Sequence, residues 1–128
     1  GFLFETLRND DKCFNGGFGQ NLVSFVNPGV LKGFHLHRAQ TEYTTCLQGN
    51  ILYVAIKEIS GKAPIVEKFA MGEKNRIMIK TPPGVWHGYK NIDKNPAIVL
   101  YVMDKPYDSN DPDTEEREPS FFKEIWQA

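Results

Sequence analysis

The sequence predicts an all-β fold, and three observations support that prediction. Short runs rich in Val, Ile, Phe, Tyr and Thr recur along the chain, which is typical of strands. Clusters of glycine, proline and asparagine separate these runs at spacings of roughly 8–12 residues, as in a β-sandwich or barrel. No window shows a sustained 3.6-residue apolar period, and the one helix-like segment, Ser120–Gln127, is short.

Seven runs have the length and composition of strands. In chain order they are Asn21–Val26, Val30–Phe34, Tyr43–Leu47, Ile51–Lys57, Ile65–Phe69, Arg76–Lys80 and Ala97–Met103. Gly49 and Asn50 separate two of the runs and predict a two-residue hairpin turn, because glycine supplies the positive φ of its first position. A further strand is expected after the turn at Pro82-Pro83-Gly84.

The composition is that of an ordinary globular chain. Its 128 residues are enough for a substantial core, so we expect a single domain over residues 1–128. The net charge of −1 argues against a nucleic acid held by bulk charge, and no apolar run approaches the roughly 20 residues of a membrane span. Two cysteines are too few for a disulfide framework, which favours a reducing compartment.

The C-terminal tail, residues 104–128, differs from the rest of the chain. Seven Asp and Glu residues and three prolines lie between positions 104 and 119. Such an acidic, proline-rich composition predicts a solvated surface loop. A lid over a site is the alternative interpretation.

The chain has three histidines, and their spacing is the most informative feature of the sequence. His35 and His37 are two residues apart, so on a strand both rings leave the same face. Glu42 follows five residues later, and His87 comes just after a predicted turn. Three imidazoles and a carboxylate would suit one divalent transition metal, such as Zn, Fe, Mn or Ni. The alternative is a hydrogen-bonded pair of core histidines and a surface carboxylate.

The spacing of these residues resembles two cupin motifs. His35, His37 and Glu42, between two flanking glycines, are spaced as in the first motif, and His87 within the segment Pro82–Asn91 resembles the second. The resemblance implies a cupin double-stranded β-helix, which is a jelly-roll barrel. It also implies a metal site whose ligands are His35, His37, Glu42 and His87.

Four segments narrow the resemblance to the dTDP-4-dehydrorhamnose 3,5-epimerases. The chain is also similar, through its two closely spaced histidines, to the related nucleotide-sugar 3,4-ketoisomerases. The segments that carry the resemblance are Gly1–Arg8, Gly29–His35, Ile79–Tyr89 and Val99–Tyr101.

This family resemblance implies a cytoplasmic, homodimeric enzyme that acts on a nucleotide-linked 4-keto-6-deoxyhexose. Its chemistry is proton abstraction next to a ketone, followed by reprotonation from another direction. His35 stands at the position of the family's base, and Tyr101 stands at that of the acid. Base and metal ligand are competing roles for His35, and the sequence leaves both open. Tyr101 has an alternative role as a core residue of an apolar strand.

Four more residues are candidates for substrate binding. Lys32 replaces a family arginine that contacts the nucleotide, and Arg38 lies on the other side of the histidine pair, where both could meet a diphosphate. Trp86 and Tyr89 flank His87 and could stack on a base or a sugar. The alternative for Lys32 and Arg38 is that they are solvated surface charges, and the alternative for Trp86 and Tyr89 is that they plug the barrel.

Three functions therefore remain in contention. The favoured one is a nucleotide-sugar epimerase or isomerase in polysaccharide or deoxysugar biosynthesis. The alternatives are a metal-dependent cupin enzyme of other chemistry and a non-catalytic sugar-binding cupin. The family has a lysine where Glu42 stands, and a carboxylate there suits an enolate only if a cation neutralises it. The strand-like segment Phe2-Leu3-Phe4 is expected to pair an edge in a homodimer.

Overall fold

A computed structural model describes residues 1–126 of the chain, including every side chain in that range except those of residues 121–124. The regular secondary structure of the described residues is almost entirely β-strand, which confirms the predicted all-β fold. The strands are β1 Gln20–Val26, β2 Leu31–Leu36, β3 Glu42–Gln48, β4 Asn50–Lys57, β5 Ile65–Gly72, β6 Met78–Thr81, β7 Trp86–Asn91, β8 Ala97–Met103 and β9 Glu115–Glu116.

The strands form two antiparallel sheets that face each other. One sheet has the order β1-β8-β3-β6, and the other has the order β5-β4-β7-β2-β9. Consecutive strands repeatedly lie in different sheets, so the chain crosses between them, as in a jelly roll. The expected strand after Pro82-Pro83-Gly84 is β7, at the centre of the five-stranded sheet.

The hairpin predicted at Gly49 and Asn50 is wrong. β3 ends at Gln48 and β4 begins at Asn50, but the two strands belong to different sheets and do not pair. Gly49, with φ of 78°, turns the chain at a corner between the sheets instead. A glycine turn between two strand-like runs looks the same in the sequence in both cases, because pairing depends on the direction in which the second strand leaves.

Two apolar clusters hold the sheets in place. The interior cluster lies between the sheets and takes residues from both of them: Val26, Cys46, Ile51, Tyr53, Met71, Tyr89, Ala97 and Val99. The outer cluster covers the opposite face of the five-stranded sheet: Phe34, Val54, Ile56, Trp86 and Trp126. Tyr53 and Val54 therefore belong to different clusters, because successive side chains of a strand point to opposite faces.

The two ends of the chain lie outside the sheets. Phe2 and Leu3 are exposed and form no strand within the chain, while the Arg76 guanidinium lies 4.2 Å from the centre of the Phe4 ring. The helix expected at Ser120–Gln127 is a 3₁₀ helix over Pro119–Trp126, and residue 127 lies outside the described range. In residues 1–126, no helix is long and apolar enough to cross a membrane.

The tail is largely exposed, as its composition predicts, but it also pairs with the sheet. β9 extends the five-stranded sheet beside β2, with His35 opposite Glu116 and Leu36 opposite Glu115. The sequence gives no sign of this pairing, because a two-residue strand of glutamates has low intrinsic strand propensity. The tail thus reaches the segment that carries the first two histidines.

Candidate active site

The sheets enclose a cavity of about 550 Å³ at one end of their interior. Both sheets supply its walls, with His35 and His87 from the five-stranded sheet and Glu42 and Tyr101 from the four-stranded sheet. The remaining lining residues are Gln20, Leu22, Lys32, His37, Gln40, Tyr53, Gly88, Tyr89, Met103, Tyr107 and Thr114. All three histidines of the chain therefore meet in one cavity.

A bulge in β2 aims Lys32 and His35 into this cavity. Lys32 pairs with Tyr89 and His35 pairs with His87, so the partner strand has one residue fewer between these two positions. Without the extra residue, side chains three apart would leave opposite faces of the strand. Glycine is required at position 33, because its φ is 142° and a Cβ there would lie 2.8 Å from the Cα of Gly88.

Glu42 is a buried carboxylate between two imidazoles. Its Oε2 lies 2.8 Å from His87 Nε2 and 3.6 Å from His37 Nε2. Burial alone would raise the pKa of Glu42, but the two histidines outweigh it and lower the pKa to about 2. The same carboxylate helps to raise the pKa of His37 against the opposing effect of burial. Glu42 is therefore ionised at neutral pH.

Backbone carbonyls fix the orientation of both rings. His37 Nδ1 donates to the carbonyl oxygen of Asp113 at 2.8 Å, and His87 Nδ1 donates to that of Val85 at 3.1 Å. With Nδ1 as the donor, a neutral ring would turn an Nε2 lone pair toward the ionised Glu42, so three electron-rich atoms would face one another. A buried cation or a shared proton must offset their repulsion. Metal-binding histidines usually donate their other ring N–H in this way, so the donor set fits a metal.

His35 lies outside this compact group. The candidate ligand atoms of His37, Glu42 and His87 lie within 4.8 Å of one another, and no atom of His35 belongs to that set. The His35 ring centre is 6.5 Å from that of His87, and its Nδ1 is 3.9 Å from Glu116 Oε1. Burial and then the charge of His87 lower the pKa of His35, although Glu116 opposes them. The three-residue group and His35 are thus separate features of the site.

Two tyrosines and a lysine form another part of the wall. The hydroxyl of Tyr89 is hydrogen-bonded to that of Tyr101. Burial is the main cause that raises the pKa of each phenol, so both keep their protons at neutral pH. Lys32 Nζ donates to Ser24 Oγ at 2.8 Å across the gap between the sheets. A polar ligand would therefore meet hydroxyl groups and an ammonium group here.

Comparison with known proteins decides the family. Residues 1–115 match the family described as the polysaccharide biosynthesis C-terminal domain. The chain belongs to this family. The spore coat polysaccharide biosynthesis protein SpsL of Bacillus subtilis is 31% identical over 115 residues, which are 88% of this chain and 76% of the relative. The probable low-salt glycan biosynthesis epimerase Agl13 of Haloferax volcanii is 32% identical over 123 residues, which are 93% of this chain and 78% of the relative.

A solved structure supports the same assignment. The dTDP-4-dehydrorhamnose 3,5-epimerase of Sulfolobus tokodaii superposes with a TM-score of 0.79 at 27% identity, over 95% of this chain and 72% of that one. The predicted resemblance to these epimerases and the cupin jelly-roll fold are both confirmed.

Two of the residues expected to contact substrate do not line the cavity. Trp86 lies in the outer cluster, where its Nε1 donates to Glu58 at 3.0 Å, because neighbouring His87 already takes the inward direction on β7. Arg38 is exposed, forms an ion pair with Glu115, and lines a separate surface groove. Lys32, Tyr89 and Tyr101 do line the cavity, as do the four candidate metal ligands.

Sequence reasoning missed other members of the site. Tyr53 lies in the wall of the cavity. Its ring is nearly parallel to that of His87, with 6.3 Å between the ring centres, and its hydroxyl oxygen is hydrogen-bonded to Thr81 Oγ1 at 2.6 Å. Its position in phase with Ile51 on β4 was an available signal. Tyr107 and Thr114 come from the tail, and no local pattern marks them as lining residues.

Proposed function

We propose that this chain is a nucleotide-sugar epimerase that acts on a dTDP-linked 4-keto-6-deoxyhexose by proton abstraction next to the ketone. The observation that carries the proposal is that His35 and Tyr101 line one cavity from opposite sheets. A sugar between the sheets would have a base on one side and an acid on the other. The printed names of two similar proteins, an epimerase of glycan biosynthesis and a dTDP-4-dehydrorhamnose 3,5-epimerase, support the same chemistry.

The reaction begins when His35 Nε2 takes the proton from the carbon beside the ketone. The C–H electron pair becomes the new C=C bond, and the carbonyl electrons move to oxygen as an enolate. Tyr101 then gives its hydroxyl proton to the same carbon from the other face as the ketone re-forms. His35 returns its proton to solvent, and Tyr101 regains one from solvent or through Tyr89. Substrate and product are isomers, so no co-reactant is needed.

Neighbouring groups support these roles. The neutral His35 ring can accept a proton, and Glu116, 3.9 Å from its Nδ1, would stabilise the imidazolium that forms. The Tyr89 hydroxyl is bonded to that of Tyr101 and would stabilise a transient phenolate. Lys32 supplies a positive charge on the wall of the cavity, where it would meet the diphosphate. Tyr89 offers the sugar a hydroxyl group and a ring face.

We also propose that His37, Glu42 and His87 hold one divalent transition metal, such as Zn, Fe, Mn or Ni. The support is that the candidate ligand atoms of these residues lie within 4.8 Å of one another, while Nδ1 of each histidine already donates to a backbone carbonyl. A metal bound there would supply charge that polarises a carbonyl oxygen. His35 then keeps the role of base rather than that of ligand. Elemental analysis of the purified chain and of the variant Glu42→Gln tests this, and equal metal content in the two proteins would contradict it.

The oligomeric state and the compartment are further parts of the proposal. Phe2 and Leu3 are 78% and 90% exposed, and a second copy of the chain would cover them in a homodimer. Sedimentation equilibrium at micromolar concentration should give the dimer mass, and a monomer would contradict the proposal. Two free cysteines favour a reducing compartment, which the cytoplasm provides.

The decisive experiment uses dTDP-4-keto-6-deoxyglucose in deuterated water. An epimerase of this kind incorporates deuterium beside the ketone and forms a new isomer, and both are seen by NMR. Neither deuterium nor isomer would contradict the proposal. Binding of the sugar without either would favour the non-catalytic cupin, and any new product that is not an isomer would favour a cupin of other chemistry.

A further inference from the structure

The two histidines of the candidate metal group are oriented by different parts of the chain. His87 Nδ1 donates to Val85, which is only two residues away, so its orientation is local. His37 Nδ1 donates to Asp113, which is 76 residues further along the chain. The orientation of His37 therefore depends on the docking of the tail, whereas that of His87 does not.

Asp113 is held in place by its own side chain. Its carboxylate accepts the backbone N–H groups of Arg38, Ala39 and Gln40 at 2.8, 3.0 and 3.0 Å. These bonds outweigh the effect of burial and lower the pKa of Asp113, so the group is ionised at neutral pH. Its backbone adopts a φ of 49°, which aspartate tolerates better than most residues. The carboxylate thus ties the tail to the loop that follows His37.

A second group competes for the same ring nitrogen. The side-chain amide of Gln40 lies 2.9 Å from His37 Nδ1, with its nitrogen toward the ring. An amide nitrogen donates, so it favours a ring protonated at Nε2, whereas a carbonyl oxygen favours a ring protonated at Nδ1. The amide can rotate to present its oxygen, but the carbonyl of Asp113 can only accept. With Asp113 in place, Nδ1 therefore carries a proton, and a neutral His37 ring is the tautomer with its lone pair on Nε2.

We propose that Asp113 is a positioning residue that holds His37 in the tautomer able to bind a metal. A ring protonated at Nε2 has no lone pair to offer toward Glu42, so displacement of the Asp113 carbonyl removes a ligand. The acidic tail is in this way part of the site rather than only a solvated loop. The tautomer part of the proposal stands on hydrogen-bond geometry alone, and only its effect on metal affinity rests on the metal site proposed above.

The test compares Asp113→Ala and Asp113→Asn with the control Asp111→Ala. Asp111 lies in the same tail and lines the same surface groove as Asp113. Its replacement by alanine removes the same charge and no hydrogen bond that involves His37. Long-range ¹H–¹⁵N NMR of the metal-free proteins reports the imidazole tautomers, and competition with a chromogenic chelator gives the zinc affinity. Asp113→Ala should move the His37 proton toward Nε2 and weaken zinc binding by about 10–100-fold.

Asp113→Asn keeps one acceptor oxygen and a residue suited to positive φ. Its His37 tautomer and its zinc affinity should therefore lie between those of Asp113→Ala and of the original chain, and both should be unchanged in Asp111→Ala. An unaltered His37 tautomer in folded Asp113→Ala would overturn the proposal. If Asp113→Ala does not fold, Asp113→Asn provides the test. An unaltered His37 tautomer in a folded but less stable Asp113→Asn would then overturn the proposal. A tautomer shift in a chain that binds no zinc would support the positioning role and contradict the metal site.

Discussion

The interior between the two sheets has a closed end and an open end, and the same strands build both. On β8, Val99 is fully buried at the closed end, and Tyr101 lines the cavity at the open end. On β3, Cys46 belongs to the interior cluster, and Glu42 faces the two histidines. On one strand, a side chain that packs in the core and a side chain that lines the cavity are thus at most four residues apart, because side chains two apart share a face.

The difference between the two ends is one of solvation and partners. At the closed end, apolar side chains fill the space and stabilise the fold by burial. At the open end, the buried charged and hydroxyl groups that line the cavity have partners, such as His87 for Glu42 and Tyr89 for Tyr101, which makes their burial tolerable. Substitutions at the open end should therefore affect catalysis, and those at the closed end should affect stability.

The largest expected effect is that of His35→Gln at the open end. Loss of the base should slow isomer formation by about 10²–10⁴-fold, the usual contribution of general acid–base catalysis. The metal content should not change, because His35 lies outside the three-residue group. NMR of the reaction in deuterated water and elemental analysis check both parts. Turnover at the original rate would remove His35 from the mechanism.

At the closed end, Ile51→Ala should cost about 2–5 kcal/mol of the free energy of unfolding, because Ile51 is fully buried and leaves a cavity. Its kcat should stay the same. Urea denaturation and steady-state kinetics measure the two quantities. The matched control is Ile65→Ala, which is 50% exposed and should change stability by about 0.5 kcal/mol or less. A large loss of kcat in folded Ile51→Ala would break the division between the ends.

A smaller effect is expected for Tyr101→Phe, which removes one hydroxyl and keeps the ring. Isomer formation should fall by about 100-fold, while deuterium exchange beside the ketone continues, because the base remains. The control is Tyr43→Phe, a buried tyrosine whose hydroxyl accepts the N–H of Asn15 outside the cavity. Equal loss of exchange and isomer formation would contradict the role of Tyr101 as the acid.

The smallest effect distinguishes the inside of the cavity from its outer wall. Lys32→Ala should raise KM, because Lys32 lines the cavity. Arg38→Ala should leave KM unchanged and alter stability little, since its ion pair with Glu115 is on the surface. Steady-state kinetics with the dTDP-linked substrate compares them. A higher KM in Arg38→Ala alone would place the diphosphate outside the cavity.

Much of the fold could be predicted because it rests on local signals. The run Ala97–Met103 matches β8 at both ends, because a short, unbroken apolar run rich in β-branched residues favours a buried strand. The i, i+2 spacing of His35 and His37 brought both rings into one cavity, as expected. Spacing also pointed to Glu42 and His87, whose convergence on the histidines depends on the packing of two sheets.

The sequence by itself determined the all-β class, the succession of β1 to β8 along the chain and the set of residues able to carry chemistry. Tertiary structure decided the rest. The corner at Gly49 separates two strands that look like a hairpin, and the bulge after Gly33 reverses the face on which Lys32 would otherwise lie. The tail reaches His37 from 76 residues away. Local sequence patterns indicate on which face of a strand a side chain lies. The hydrogen bonds and strand pairings that decide register, histidine tautomers and contact partners form only when distant segments pack together.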